Sequence, residues 1–187
     1  RKPGVCMAQS VGAANLAVGL QDAFLGSSPV IALTGKKPPW KQMKNAYQEI
    51  DHRPLFDSVT IFNAAIDEPE QLPGFLRQAF REAISGKPRP VHLDILGRMG
   101  RPVETANFHE TALVIEPDYR QVPVRRQQAS TLAVLAAAEL IGEAERPVIV
   151  VGGGARLSGG RDAILALAKK ADIPFVTSVT GKGVVPE

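Results

Sequence analysis

Residues 44–54 read KNAYQEIDHRP and crowd an aromatic ring, two amides, two carboxylates and an imidazole into one short segment. The amide of Gln48 carries two donors and an acceptor, which suits it to orient a polar substrate or a water. Tyr47 beside it offers a ring and a hydroxyl. Glu49 and Asp51 have the chemistry of general acids or bases. The same composition also describes a solvated turn, because charged side chains are common in surface loops. His52 is expected to be a surface histidine: adjacent residues seldom aim at one another, and no serine or cysteine nucleophile is marked for it to activate.

Two other stretches have ligand-binding chemistry. AQSVGAAN, residues 8–15, joins the small residues Ser10, Gly12, Ala13 and Ala14 to a helix start, whose free N–H groups suit an anion or a closely approaching cofactor. Tight packing of helix on strand explains the same residues. VVGGGARLSGG, residues 150–160, lacks the dinucleotide fingerprint, because Leu157 stands where a third glycine is needed after Gly152 and Gly154. It also lacks the phosphate-loop pattern, since Gly160 rather than lysine follows Gly159. A strand, glycines and a helix can still cradle a phosphate, and a plain tight turn fits equally well. In TGKG, residues 180–183, Lys182 can meet an anion. Cys6 lies in an apolar run and reads as a core thiol rather than a nucleophile.

The elements that must position these residues alternate between β-branched runs and helical patterns, the habit of a parallel α/β sheet flanked by helices. Strands are expected at residues 4–9, 29–35, 57–66 and 90–95. Helices are expected after the first strand, with Leu16, Leu20, Ala23 and Phe24 on one face, and at residues 67–86. The second of these should have Asp67 as N-cap, Pro69 in the first turn and Gly86 as its stop. From Gly97 to Arg126 the periodicity fails, with three prolines over a span far longer than an ordinary connection. The habit then returns as helix (STLAVLAAAELIGEA), strand (PVIVVGGG), helix (GGRDAILALAKKA) and strand (PFVTSV). The expected organisation is two partial three-layer domains, residues 1–98 and 127–187, joined by a linker at 99–126.

Composition narrows the class. With 44% hydrophobic and 22% charged residues the chain suits a globular protein. The net charge is only +3, and its few basic clusters are not interleaved with aromatics, so a nucleic-acid surface is not expected. No apolar run approaches the eighteen or so residues that span a bilayer. Cys6 is the single cysteine, so an internal disulfide is excluded and a cytoplasmic setting fits. Strand-like text runs into both termini, RKPGVCMAQS and GKGVVPE, and the chain is expected to be an excerpt of a longer protein.

The order of these motifs resembles the thiamine-diphosphate-dependent enzymes of the acetolactate synthase and 2-oxoacid decarboxylase family. The resemblance is carried by GVCMAQSVGAANLAVGLQDAFLGSSPVIALTG, AYQEID, SGKPRPVHLDI, RPVIVVGGGARLSGG and IPFVTSVTGKGVVPE, and covers nearly the whole chain. It implies that residues 1–98 are the later part of a pyrimidine-binding domain and residues 127–187 the start of a central domain. It implies that Gln9, Ser10, Val11, Gly12 and Asn15 lie near the cofactor, and that Gln48, with Tyr47 and Glu49 beside it, faces the reactive carbon and the substrate. Where the family usually has Ser-Gly-Pro-Gly this chain has Gln9-Ser10-Val11-Gly12, and Tyr47 replaces a phenylalanine.

The implied reaction is decarboxylation of a 2-oxo acid, with protonation or carboligation of the product. The activating glutamate and the Mg²⁺ and diphosphate motif are expected outside residues 1–187, so the excerpt alone is expected to be inactive. The resemblance further implies a homodimer or homotetramer, and FAD or ADP at Gly152, Gly153 and Gly154 in some members. An acyl-CoA lyase of the same superfamily, such as an oxalyl-CoA decarboxylase, is the alternative enzyme reading. A non-catalytic nucleotide-binding α/β module is the third.

Overall fold

The computed structural model describes residues 2–96, 109, 112–125 and 127–186. Contacts divide the chain into two compact units, Arg1–Val124 and Arg125–Glu187.

The first unit runs β1 (Gly4–Gln9), α1 (Ala14–Leu25), β2 (Val30–Lys36), α2 (His52–Asp57), β3 (Asn63–Ile66), α3 (Leu72–Ile84) and β4 (Val91–Leu96). The strand order is β1-β2-β4-β3, and every neighbouring pair is parallel, as the strand and helix alternation leads one to expect. Successive strand residues point to opposite faces. Ile31, Val91 and Leu93 therefore bury against Ala79, Ala83 and Ile84 of α3, while Ala32 on the other face packs with Ala13, Leu20 of α1 and Phe56 of α2. Helices cover both faces, which makes three layers. Side chains as fully buried as Ile31, Leu93 and Phe56 each contribute about 1.5–3 kcal/mol.

Local chemistry shifts several expected boundaries. The strand expected over residues 57–66 shrinks to β3, because Asp57 ends α2 and residues 58–62 form a turn and connection. Asp51 caps that helix, its carboxylate accepting the Arg53 N–H at 3.3 Å, and Pro54 sits in the first turn, where no N–H is required. Phe56, Val59 and Thr60 are then buried on the way to β3. The cap before α3 is Glu68 rather than Asp67. Glu68 and Gln71 form a reciprocal capping box around a short 3₁₀ turn, whereas the Asp67 carboxylate accepts from Lys36 Nζ at 2.6 Å. Gly86 takes φ +59 just after Ser85 caps the helix, a conformation that suits glycine.

Part of the expected linker, residues 99–108, 110, 111 and 126, lies outside the described residues. Further on, Tyr119, Val122 and Val124 pack against the α3 core, and the Arg81 guanidinium donates to the Glu116 carboxylate, with Nε 2.6 Å from Oε2. The first unit thus continues to Val124.

The second unit contains α4 (Thr131–Glu143), β5 (Ile149–Val151), α5 (Gly153–Ser158), α6 (Arg161–Ala171) and β6 (Phe175–Thr177). β5 and β6 pair in parallel, and Val151, Val184 and Val185 form the core with Ile149, Ile164, Leu165 and Phe175 against them. No helix among the described residues is long and apolar enough to cross a membrane.

Candidate functional site

In open parallel sheets ligands bind beyond the carboxyl ends of strands, and two of the candidate segments leave such ends side by side. Gln9 is paired with Gly35, so the turn after β1 and the long connection after β2 emerge from adjacent strands. The chain leaves β1 through Ser10 at φ +49, makes a 3₁₀ turn over Ser10–Ala13 and continues into α1. Ser10 and Ala13 are buried, while Gln9, Val11, Gly12 and Asn15 are exposed. A Cβ added at Gly12 would meet nothing within 4 Å. Close packing thus explains Ala13 but not Gly12, whose open surface admits close approach of a ligand to the backbone.

The connection after β2 is held by Glu49. Its carboxylate accepts the N–H groups of Met43, of Ala46 at 2.9 Å and of Lys44 at 3.3 Å. The Ala46 N–H is the first cause of the lowered carboxyl pKa of Glu49; burial opposes it, and the amides of Met43, Lys44 and Asn45 add to the lowering. Glu49 is therefore engaged as the loop's internal scaffold. Met43, Asn45 and Gln48 each adopt φ +57, a region unfavourable to residues with a side chain, so the loop requires such a scaffold. Tyr47 and Gln48 are exposed at its surface, with Tyr47 82% accessible.

His52 overturns the expectation of a surface histidine. It is 1% exposed and belongs to a buried polar chain that sequence reasoning did not find. Its Nε2 donates to the Ser10 carbonyl at 2.9 Å, and its Nδ1 lies 2.9 Å from Asp94 Oδ1. Thr34 Oγ1 is 2.7 Å from both Asp94 Oδ1 and His92 Nε2. His92 Nδ1 in turn faces Asn63 Oδ1 at 2.7 Å, and Asn63 Nδ2 donates to the Arg53 carbonyl and to Asp57 Oδ1. Those two acceptors fix the Asn63 amide, which selects the Nδ1–H tautomer of His92 and leaves Nε2 as an acceptor. Thr34 thus has one hydroxyl proton facing two acceptors, His92 Nε2 and Asp94 Oδ1.

The two imidazoles are driven apart in charge. Burial opposes protonation of His52, but the Asp94 hydrogen bond, the Ser10 carbonyl and the Asp94 and Asp51 charges outweigh it and raise its pKa. Burial dominates at His92 and pushes its pKa down to about 4. A signal for this chain existed in the sequence. His92 and Asp94 sit at i and i+2 of an otherwise apolar strand, hence on one face, and Thr34 and Asp94 are register partners.

The remaining candidates separate. Cys6 is half-buried and its thiol pKa is raised by burial, the opposite of an activated nucleophile. In the second unit, a Cβ at Gly153 would come within 3.0 Å of the Thr180 side chain, and one at Gly181 within 2.0 Å of the Val151 carbonyl oxygen. Those two glycines exist for close backbone packing between the turns after β5 and β6. Gly152 has only the Ser178 hydroxyl near, at 3.9 Å, and Gly154 is open.

Comparison with known proteins agrees with this division. Residues 1–55 match the model of the thiamine pyrophosphate enzyme N-terminal TPP binding domain, and residues 134–187 match that of the thiamine pyrophosphate enzyme central domain. The chain belongs to the thiamine pyrophosphate enzyme family. Among its relatives, a probable acetolactate synthase large subunit of Methanocaldococcus jannaschii is 40% identical over 98% of this chain and 31% of its own length. The acetolactate synthase isozyme 1 large subunit of Escherichia coli is 34% identical over all of this chain and 32% of its own length. A probable 2-ketoarginine decarboxylase of Pseudomonas aeruginosa is 33% identical over 99% of this chain and 32% of its own length. The chain thus spans about a third of each. Within the family frame, the N-terminal match contains both the turn after β1 and Gln48.

Proposed function

We propose that this chain is part of a thiamine-diphosphate-dependent enzyme of the acetolactate synthase type, acting on 2-oxo acids. The observation that carries the reading is its likeness to acetolactate synthase large subunits along nearly all of its length, through both family domains in order. Those names favour the synthase reading over an acyl-CoA lyase.

Gln9, Ser10, Val11, Gly12 and Asn15 form the wall against which the cofactor lies, and the open surface at Gly12 fits a group that approaches the backbone closely. When bound, thiamine diphosphate supplies a carbon nucleophile for the 2-oxo group and a sink for the electron pair released with CO₂. Gln48 has no proton to exchange at ordinary pH, so its task is to orient: its amide can donate to the substrate's carbonyl or carboxylate while Tyr47 flanks it. Glu49, fully engaged with three amides, holds Gln48 in place.

Mg²⁺ belongs to the proposal as the diphosphate's counter-ion. The family resemblance implies that its ligands lie outside residues 1–187. FAD or ADP on the second unit stays outside the proposal: packing accounts for Gly153, and open space at Gly152 and Gly154 alone does not select a nucleotide. A homo-oligomer in the cytoplasm completes the reading.

Titrating thiamine diphosphate with Mg²⁺ into the full-length protein and its Gln48→Ala variant tests these roles. Binding retained in the variant with kcat reduced at least tenfold supports them. Unchanged turnover in Gln48→Ala removes Gln48 from the site.

A further inference from the structure

The buried chain of polar groups in the first unit includes one contact that joins both segments of the candidate site. Ser10 carries a side chain at φ +49, is 4% exposed, and its carbonyl oxygen accepts the Nε2–H of His52 at 2.9 Å. His52 opens α2 only four residues after Gln48, and its Nδ1 is anchored to Asp94 of β4 at 2.9 Å. The carbonyl on one ring nitrogen and the carboxylate on the other are both acceptors, so the two contacts are satisfied together only by the imidazolium form. A single side chain thus ties the turn after β1, the end of the Gln48 connection and the sheet together.

We propose that His52 is a positioning residue: its ring, pinned by Asp94, clamps Ser10 in the left-handed conformation and so fixes the turn after β1 against the Gln48 connection. The effect on function rests on the reading that these two segments hold cofactor and substrate. The mechanical part does not. A residue with a side chain at positive φ persists only where its surroundings over-determine it, and the His52 bond is the side-chain contact on the Ser10 carbonyl.

The groups that face His52 are Asp94 and His92 on β4, Thr34 on β2, and Asp51 and Phe56 on its own segment. The His92 ring centre lies 6.3 Å away and that of Phe56 6.1 Å. His92 is neutral above about pH 4, so the carboxylates of Asp94 and Asp51 set the charge balance and favour protonation of His52. The clamp therefore loosens as pH rises through the raised pKa of His52.

The test is a double-mutant cycle in the full-length protein with His52→Gln, Ser10→Gly and the pair, read by melting temperature and by the dissociation constant for thiamine diphosphate from pH 6 to 9. Glycine adopts the left-handed turn without a clamp. His52→Gln is therefore expected to weaken cofactor binding about tenfold, equivalent to about 1.4 kcal/mol, and to remove the alkaline loss of affinity. Ser10→Gly is expected to restore most of both affinity and melting temperature in the His52→Gln background.

Additive effects of the two substitutions, with no rescue, would overturn the clamp and leave His52 as an ordinary core residue. Should His52→Gln fail to fold, Ser10→Gly alone decides: it flattens the alkaline loss of affinity if the clamp exists and leaves it intact if not. If the wild type binds no thiamine diphosphate, the cofactor reading falls, and the melting-temperature coupling by itself decides the clamp.

Discussion

Burial of His92 makes the fold acid-sensitive in a defined window. The residue is 0% exposed on β4, stacked on Phe56 at 3.9 Å between ring centres, and hydrogen-bonded on both nitrogens to neutral groups. Its pKa falls from 6.5 to about 4, mainly because burial penalises the charged ring. The unfolded chain takes up the proton near pH 6.5, whereas the folded chain refuses it until about pH 4. Stability is therefore complete above about pH 6.5 and is lost as pH falls toward 4. At about 1.4 kcal/mol per pH unit the full loss is about 3.5 kcal/mol, of which about 2.5 kcal/mol is reached by pH 4.5. His52 does not confuse this window. Its pKa is raised, so its contribution is fully present below about pH 6.5 and is lost only as pH rises through its folded value. Urea denaturation followed by circular dichroism at pH 7.0 and 4.5, on wild type and His92→Gln, isolates the effect, because the titration of surface carboxylates is common to both. The wild type is expected to lose about 2.5 kcal/mol more than the variant over this interval. Equal losses would refute the reasoning, since they would mean that His92 is protonated as readily in the fold as outside it.

Three further outcomes follow from the contacts described. Glu49→Ala is expected to free residues 43–48 and speed tryptic cleavage after Lys44 with little change in melting temperature; in the wild type the same loosening should appear only as pH falls below 4.5, through the lowered Glu49 pKa. Phe56→Ala removes a fully buried ring that supports both α2 and His92, and is expected to cost about 3–5 kcal/mol in chemical denaturation. Gly181→Ala would place a methyl group 2.0 Å from the Val151 carbonyl oxygen, so hydrogen exchange should show β5 and β6 losing protection while β1 to β4 keep theirs.

Much of the fold was legible because strand alternation and helical periodicity are local. β1, β2 and β4 fall within a residue of where their β-branched runs lie, and α3 and α6 follow their apolar faces. α2 was missed because six residues headed by His-Arg-Pro have no periodicity to read; their helicity comes from the Asp51 cap and from Phe56 reaching a core assembled by distant strands. The site was legible in part. Resemblance singled out Gln48 and the turn after β1, but the burial of His52 could not be inferred from its loop, since its partners Ser10 and Asp94 each lie 42 residues away in sequence. Glu49 reads as an acid or base in a list of side chains and becomes a scaffold once the amides of Met43, Lys44 and Ala46 turn toward it. The glycines at 152–154 show the converse: a run that suggests a phosphate cradle owes Gly153 to the side chain of Thr180.

The central claim, that these residues belong to a thiamine-diphosphate-dependent enzyme acting on 2-oxo acids, is tested most directly by turnover. Full-length protein, stripped of bound cofactor, is incubated with a panel of 2-oxo acids, with and without thiamine diphosphate and Mg²⁺, while CO₂ release and carboligation products are followed. Release of CO₂ from at least one 2-oxo acid, dependent on thiamine diphosphate and accompanied by an acetolactate-type product, is the expected result. Turnover that is independent of thiamine diphosphate, or absent across the panel while the cofactor is bound, would contradict it.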